Sequence, residues 1–281
     1  MLGIGPLALL KHLEEETGKK VQEIFNCYAG TSTGAIIAGL LATGYSAKEA
    51  FDLFNENVED IFTKHSLIKR LNPKCPKYDN SKLRELLGEK FGHKKFNELD
   101  VPLFITASRM NGESVEKIWD NDDEEEIAFG ILTSTAAPTY FDVIEKNGTY
   151  YCDGGMWAND PSMVLQAGMK RMHPEDSLKM LVLNTEMKIP TKKFGNLSKL
   201  GWLDYFISDW IARSGNDRYF EARINLGKEN IFRASPKNKS GNFEIDDAKQ
   251  KQKVIDIWEK YYAENCTRLI SFIKNSIPSE S

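Results

Sequence analysis

Residues Tyr28–Ile37 read YAGTSTGAII, a serine between two glycines with an apolar run before it and small apolar residues after it. The run from Ile24 to Ala29 has the character of a buried strand, and TGAIIAGLLATG, from Thr33 onward, that of a packed helix. Ser32 is therefore expected at a strand-to-helix turn. A sharp turn of that kind forces its central residue into a strained conformation, and Gly30 and Gly34 leave room for the backbone to fold back. The helix that opens at about Thr33 points its first N–H groups and the positive end of its dipole at the serine, which favours an oxyanion. A serine capping a tight βα turn is the plainer reading of the same residues.

Outward from this stretch, helices are expected over Pro6–Glu16, Thr33–Ala42, Ala47–Phe62 and Ser81–Phe91, the last with Asp79 or Asn80 as its cap. Their alternation with strands predicts an α/β fold, a three-layer sandwich whose central sheet is mostly parallel and covered by helices. PLFITASRM and SVEKIW read as strands joined by Asn111-Gly112, and two short strands flank Asn147-Gly148 before Asp153. Asn-Gly is a strong hairpin signal, so antiparallel pairs mix into the sheet. Helices over Glu125–Ser134 and Pro161–Arg171 and a strand in LKMLVLNTE complete the α/β part, and residues 198–281 read as mostly helical.

Composition narrows the function. With 281 residues, 41% of them hydrophobic, the chain can bury a substantial core, and no Pro-, Gly- or Ser-rich linker divides it. One domain over residues 1–281 is expected. A net charge of -4 gives no basic footprint for nucleic acid. Apolar runs fall far short of the roughly twenty residues that cross a bilayer, and the start, MLGIGPLALLKHLEEE, lacks the basic opening and cleavage site of a signal peptide. A cytoplasmic location is expected. Cys27, Cys75, Cys152 and Cys266 lack metal or redox spacing and read as free thiols. The acidic run DNDDEEE from Asp120 lacks the alternation and central glycine of a calcium loop and reads as a solvated lead into a helix.

A serine nucleophile needs a group to take its proton. His12, His65, His93 and His173 all lie among polar neighbours and read as surface residues. Ser32, Asp153 and His173 follow the Ser-Asp-His order of an α/β-hydrolase, but that fold places several strands before its nucleophile and its histidine after the last strand. Asp153 is the better partner. It ends a strand in YYCDGGMWANDPS, where Gly154 and Gly155 permit close approach of backbone and substrate, although Asp-Gly is also an ordinary turn pair.

The motifs Gly30-Thr31-Ser32-Thr33-Gly34 and Asp153-Gly154-Gly155, with TSTAAPTYF and DGGMWANDPS around them, resemble those of the patatin-like phospholipase family over nearly the whole chain. The resemblance implies a lipid acyl hydrolase of phospholipase A or lysophospholipase type, acting on phospholipid or lysophospholipid esters through a Ser32–Asp153 dyad, without histidine, metal or cofactor. It also implies that the Thr33 N–H contributes to oxyanion stabilisation. Family members begin with a strand and a glycine-rich loop that forms the oxyanion hole. Here Gly3 matches only that loop's last glycine, and Leu2 stands where its basic residue would be. Removing one oxyanion donor costs about 3–4 kcal/mol of barrier. A fragment or a late start is therefore expected in preference to a natural protein lacking the strand, and a lapsed, binding-only relative is the main rival. In SKLGWLDYFISDWIARSG, the residues Trp202, Leu203, Phe206, Ile207 and Trp210 offer a peripheral membrane contact, though a stripe at helical spacing ordinarily belongs to a core.

Overall fold

The computed structural model describes residues 2–61, 76–185, 198, 201–202, 205–206, 211–237 and 248–274. In chain order these form α1 (Ile4–Thr17), α2 (Val21–Ile24), β1 (Tyr28–Thr31), α3 (Thr33–Ala42), α4 (Ala47–Ile61) and α5 (Ser81–Phe91). Then come β2 (Leu103–Arg109), β3 (Glu116–Trp119), α6 (Ile127–Ser134), β4 (Ile144–Lys146), β5 (Thr149–Asp153), α7 (Gly155–Ala158) and α8 (Ser162–Met172). β6 (Met180–Leu183), α9 (Ile211–Leu226), β7 (Ile231–Ala234) and α10 (Lys251–Lys274) follow. Cys75, His65, Leu203, Ile207 and Trp210 lie outside the described residues.

Alternation along the strands builds three layers. Leu103, Ile105 and Ala107 of β2 face a core shared with α1, α3, α4 and α10, while Phe104 faces a second core with Val164 and Leu165 of α8 and Ala222 of α9. β1 divides likewise, Tyr28 to the first core and Ala29 to the second. In the first layer Gly5 of α1 allows Trp258 of α10, fully buried, to lie against the helix: a Cβ there would sit 2.1 Å from the indole ring.

β2 is the hub of the sheet. β1 pairs with it in parallel, β3 and β5 pair with it antiparallel, and β4 extends β5. The expectation of a mostly parallel sheet is corrected here: within this sheet only β1–β2 is parallel, because two hairpins supply the other strands. A separate parallel pair, β6–β7, contains a strand that the expectation of a mostly helical C-terminal part did not foresee. β7 is four residues long, IFRA, too short to show a period.

The strand expected from Ile24 begins instead at Tyr28. Residues 21–24 form a helical turn, because the Glu23 carboxylate accepts the Lys20 N–H at 2.7 Å and caps it. Helices Thr33–Ala42 and Ser81–Phe91 fall where periodicity places them, and Asp79 rather than Asn80 accepts the Ser81 N–H, at 2.8 Å. Asn147 and Gly148, at φ 53° and 76°, make the tight β4–β5 turn. Asn111-Gly112 lies within a longer connection. The Asn111 side chain reaches the neighbouring hairpin, donating to the Gly148 carbonyl at 2.8 Å and accepting the Tyr150 N–H at 3.0 Å.

Candidate active site

A strand residue has one partner on each edge. Thr106 pairs with Ile118 of β3 and Thr31 of β1, and its successor Ala107 pairs with Lys117 of β3 and Asp153 of β5. β1 and β5 thus share one edge of β2, run toward each other, and meet end to end between these rungs. Both chains must leave the sheet there. β1 turns into α3 through Ser32, and β5 into α7 through Gly154.

The exits account for the glycines. A Cβ on Gly30 would lie 2.2 Å from the Gly34 carbonyl oxygen, and one on Gly154 would lie 2.3 Å from Thr106 Oγ1 and 2.4 Å from its carbonyl oxygen. The steric need expected at Gly34 is corrected: its own Cβ would meet nothing within 4 Å, and its backbone is what crowds Gly30. Ser32 itself has φ 55° and ψ -125°, strained for a residue with a side chain. Its N–H is satisfied by Ser134 Oγ at 2.9 Å, from the end of α6. Thr33 opens α3, so its N–H belongs to the first turn, where no i-4 carbonyl of the helix is available. Gly3, at the start of α1, lies against it: a Cβ on Gly3 would be 2.3 Å from Thr33 Cγ2.

Asp153 is buried, and loss of hydration lifts its carboxyl from the usual range to about 6. Hydrogen bonds from the Ser32 hydroxyl and the Gly155 N–H, the latter 2.7 Å from Oδ1, act in the opposite direction. Its backbone is fixed on both sides, the N–H donating to the Ala136 carbonyl at 3.0 Å and the carbonyl accepting from Ser108 Oγ at 2.7 Å. Residue types alone did not single out Ser108, Thr106, Thr31 or Ser134. All are small hydroxyl side chains whose role depends on which strands adjoin.

The histidines among the described residues stand elsewhere. His173 caps the end of α8 and pairs with Asp176 at 3.8 Å, His12 stacks on Tyr262, and His93, at 95% side-chain exposure, pairs with Glu126. Cys27, Cys152 and Cys266 are free thiols, and burial pushes Cys27 up to about 11. The acidic run is more than a solvated lead. Asp120 and Asp122 bind Arg171 of α8, Asp123 binds Lys117 of β3, and Glu125 binds Lys146 of β4. Trp202 and Phe206 are about half exposed, with ring centroids 5.7 Å apart, so these two are not core residues. Among the described residues no helix is long and apolar enough to cross a membrane.

A strained serine at a strand-to-helix turn and a buried aspartate thus meet at one point on a helix-covered α/β sheet. The patatin-like phospholipase family matches residues 1–165, and the chain belongs to that family. It is 33% identical over 157 residues to the cGAMP-activated phospholipase of Escherichia coli (strain TW11681), covering 52% of this chain and 44% of that protein. To patatin-like protein 2 of Arabidopsis thaliana it is 26% identical over 257 residues, 72% of this chain and 63% of that one. Among solved structures, VipD from Legionella pneumophila is 14% identical with a TM-score of 0.42, covering 94% of this chain and 65% of that one. The chain spans about half the length of the cGAMP-activated relatives it matches.

Proposed function

We propose that the chain is a lipid acyl hydrolase of phospholipase A or lysophospholipase type, working through a Ser32–Asp153 dyad. The observation that carries this reading is the Ser32 hydroxyl set against a buried carboxylate held near 6, strong enough to accept a proton and ionised at neutral pH. Asp153 takes the Ser32 proton as Oγ attacks the fatty-acyl ester carbonyl. The Thr33 N–H and the first turn of α1 at Gly3 stabilise the oxyanion. The alcohol or lysophospholipid leaves with the proton from Asp153, and water, deprotonated by the same carboxylate, hydrolyses the acyl-enzyme to free fatty acid. Neither histidine nor a metal enters these steps.

The exposed Trp202–Phe206 pair supports a peripheral contact with the lipid surface. Relatives named as cGAMP-activated phospholipases make that dinucleotide the first activator to add. An organophosphonate probe that reacts with activated serines, read by peptide mass, tests the dyad independently of turnover. The adduct is expected on Ser32, undiminished in His173→Ala and lost in Asp153→Asn. An adduct that depends on His173 restores the α/β-hydrolase alternative. A folded chain that takes no adduct with or without cGAMP supports the lapsed one.

A further inference from the structure

The dyad stands on two segments that share no ladder, since β1 and β5 meet end to end on β2. Thr31, the residue before Ser32, spans the junction. Its Oγ1 lies 2.7 Å from the carbonyl oxygen of Ala158, in the helix that follows Asp153, and 2.7 Å from Thr106 Oγ1 on β2. A carbonyl can only accept, so the Thr31 proton goes to Ala158. The contact with Thr106 must then be Thr106 donating to Thr31. The chain Thr106 O–H to Thr31 Oγ1, Thr31 O–H to Ala158 C=O, has one direction. All three residues are buried, at 0%, 7% and 2% exposure. Gly154 closes over it, leaving no room for a Cβ beside Thr106 Oγ1.

We infer that Thr31 and Thr106 are positioning residues: their directed hydroxyl chain sets the approach of Ser32 to Asp153, and so both turnover and the proton affinity of the carboxylate. The inference rests on the dyad reading of the site. The ladder fixes β1 to β2 and β5 to β2 separately. The Thr31–Ala158 bond joins the serine's segment directly to the aspartate's. Small misplacements of reacting groups cost as much as about a hundredfold in rate, so a bond across this junction has leverage that its stability contribution does not reflect.

Thr31→Val keeps the shape and removes both bonds. It is expected to lower kcat about tenfold to a hundredfold at nearly unchanged KM. It should also move the acid limb of kcat/KM to higher pH, because a retreating Ser32 hydroxyl no longer holds the Asp153 pKa down. Thr31→Ser, which keeps the hydroxyl, should restore both. Thr106→Val, which removes the Thr106–Thr31 bond and keeps Thr31–Ala158, should shift both readouts in the same direction by less, and serves if Thr31→Val does not fold. A folded valine variant at either position with wild-type kcat and an unmoved acid limb overturns the inference. Equal losses in Thr31→Ser and Thr31→Val also overturn it, since packing alone would then account for the effect. If Ser32→Ala or Asp153→Asn retains turnover in the same assay, the dyad reading fails and the positioning role fails with it.

Discussion

Thr31 and Asp153 stand opposite consecutive residues of one strand, Thr106 and Ala107, on the same edge and from strands that run in opposite directions. This head-on meeting forces both chains out of the sheet at one point and leaves Ser32 beside Asp153. The catalytic pair proposed here is thus a product of strand register, although its members stand 121 positions apart in sequence.

The proposed hydrolysis should fall as pH drops through about 6, where Asp153 takes up a proton in the folded chain and could no longer accept one from Ser32. A kcat/KM profile with a single acid limb near that value is expected. A limb at the ordinary carboxylate position, near 4, would show that Asp153 is not buried as described.

The same shift predicts a gain in stability when the carboxylate is removed. Asp153 binds its proton more tightly folded, about 6, than unfolded, about 3.9, so its contribution to stability is full below the unfolded value. That contribution is lost as pH rises through the folded value. At neutral pH the deficit is as much as about 3 kcal/mol. Asp153→Asn should therefore melt higher than the parent above pH 6, with the difference shrinking toward pH 4. A parent that melts higher at neutral pH contradicts this.

The glycines of the two exits should behave unequally. Gly154→Ala and Gly30→Ala place a methyl within 2.4 Å of backbone atoms and are expected to cost several kcal/mol or to prevent folding. Gly34→Ala has space and improves helix propensity, so its melting temperature should stay level or rise. Thermal denaturation of the three variants ranks them directly.

Arg171 ties α8 to the acidic run, 2.9 Å from Asp120 and 2.5 Å from Asp122. Arg171→Gln should cost about 0.5–1 kcal/mol at low salt and less at high salt, without changing hydrolysis. A large loss of turnover would assign this pair a role beyond holding the helix.

Replacing Trp202 and Phe206 together by alanine should weaken co-sedimentation with phosphatidylcholine vesicles while leaving hydrolysis of a soluble short-chain ester unchanged. Parallel losses in both measurements would place these rings in the substrate site instead of at the lipid surface.

Much of this arrangement was readable from residue order. The Ser32 turn, helix Thr33–Ala42, the Asn147-Gly148 hairpin and the placing of Asp153 at the end of a strand followed from glycines and apolar periodicity, which act locally. The supporting hydroxyls were not readable, because Thr31, Thr106, Ser108 and Ser134 gain their roles only through non-local pairing. The strand expected from Ile24 starts late for a related reason: Ile24 ends a helical turn capped by the Glu23 carboxylate, and β1 begins only at Tyr28. The acidic run read as solvent-facing, since its cationic partners come from β3, β4 and α8.

The most direct measurement is fatty-acid release from mixed phospholipid vesicles by the parent, Ser32→Ala and Asp153→Asn, at equal concentration, with folding verified and with cGAMP absent and present. The account predicts release by the parent in at least one condition and none above background from either variant. Release that persists in Asp153→Asn, or a folded parent that releases nothing in both conditions, contradicts it.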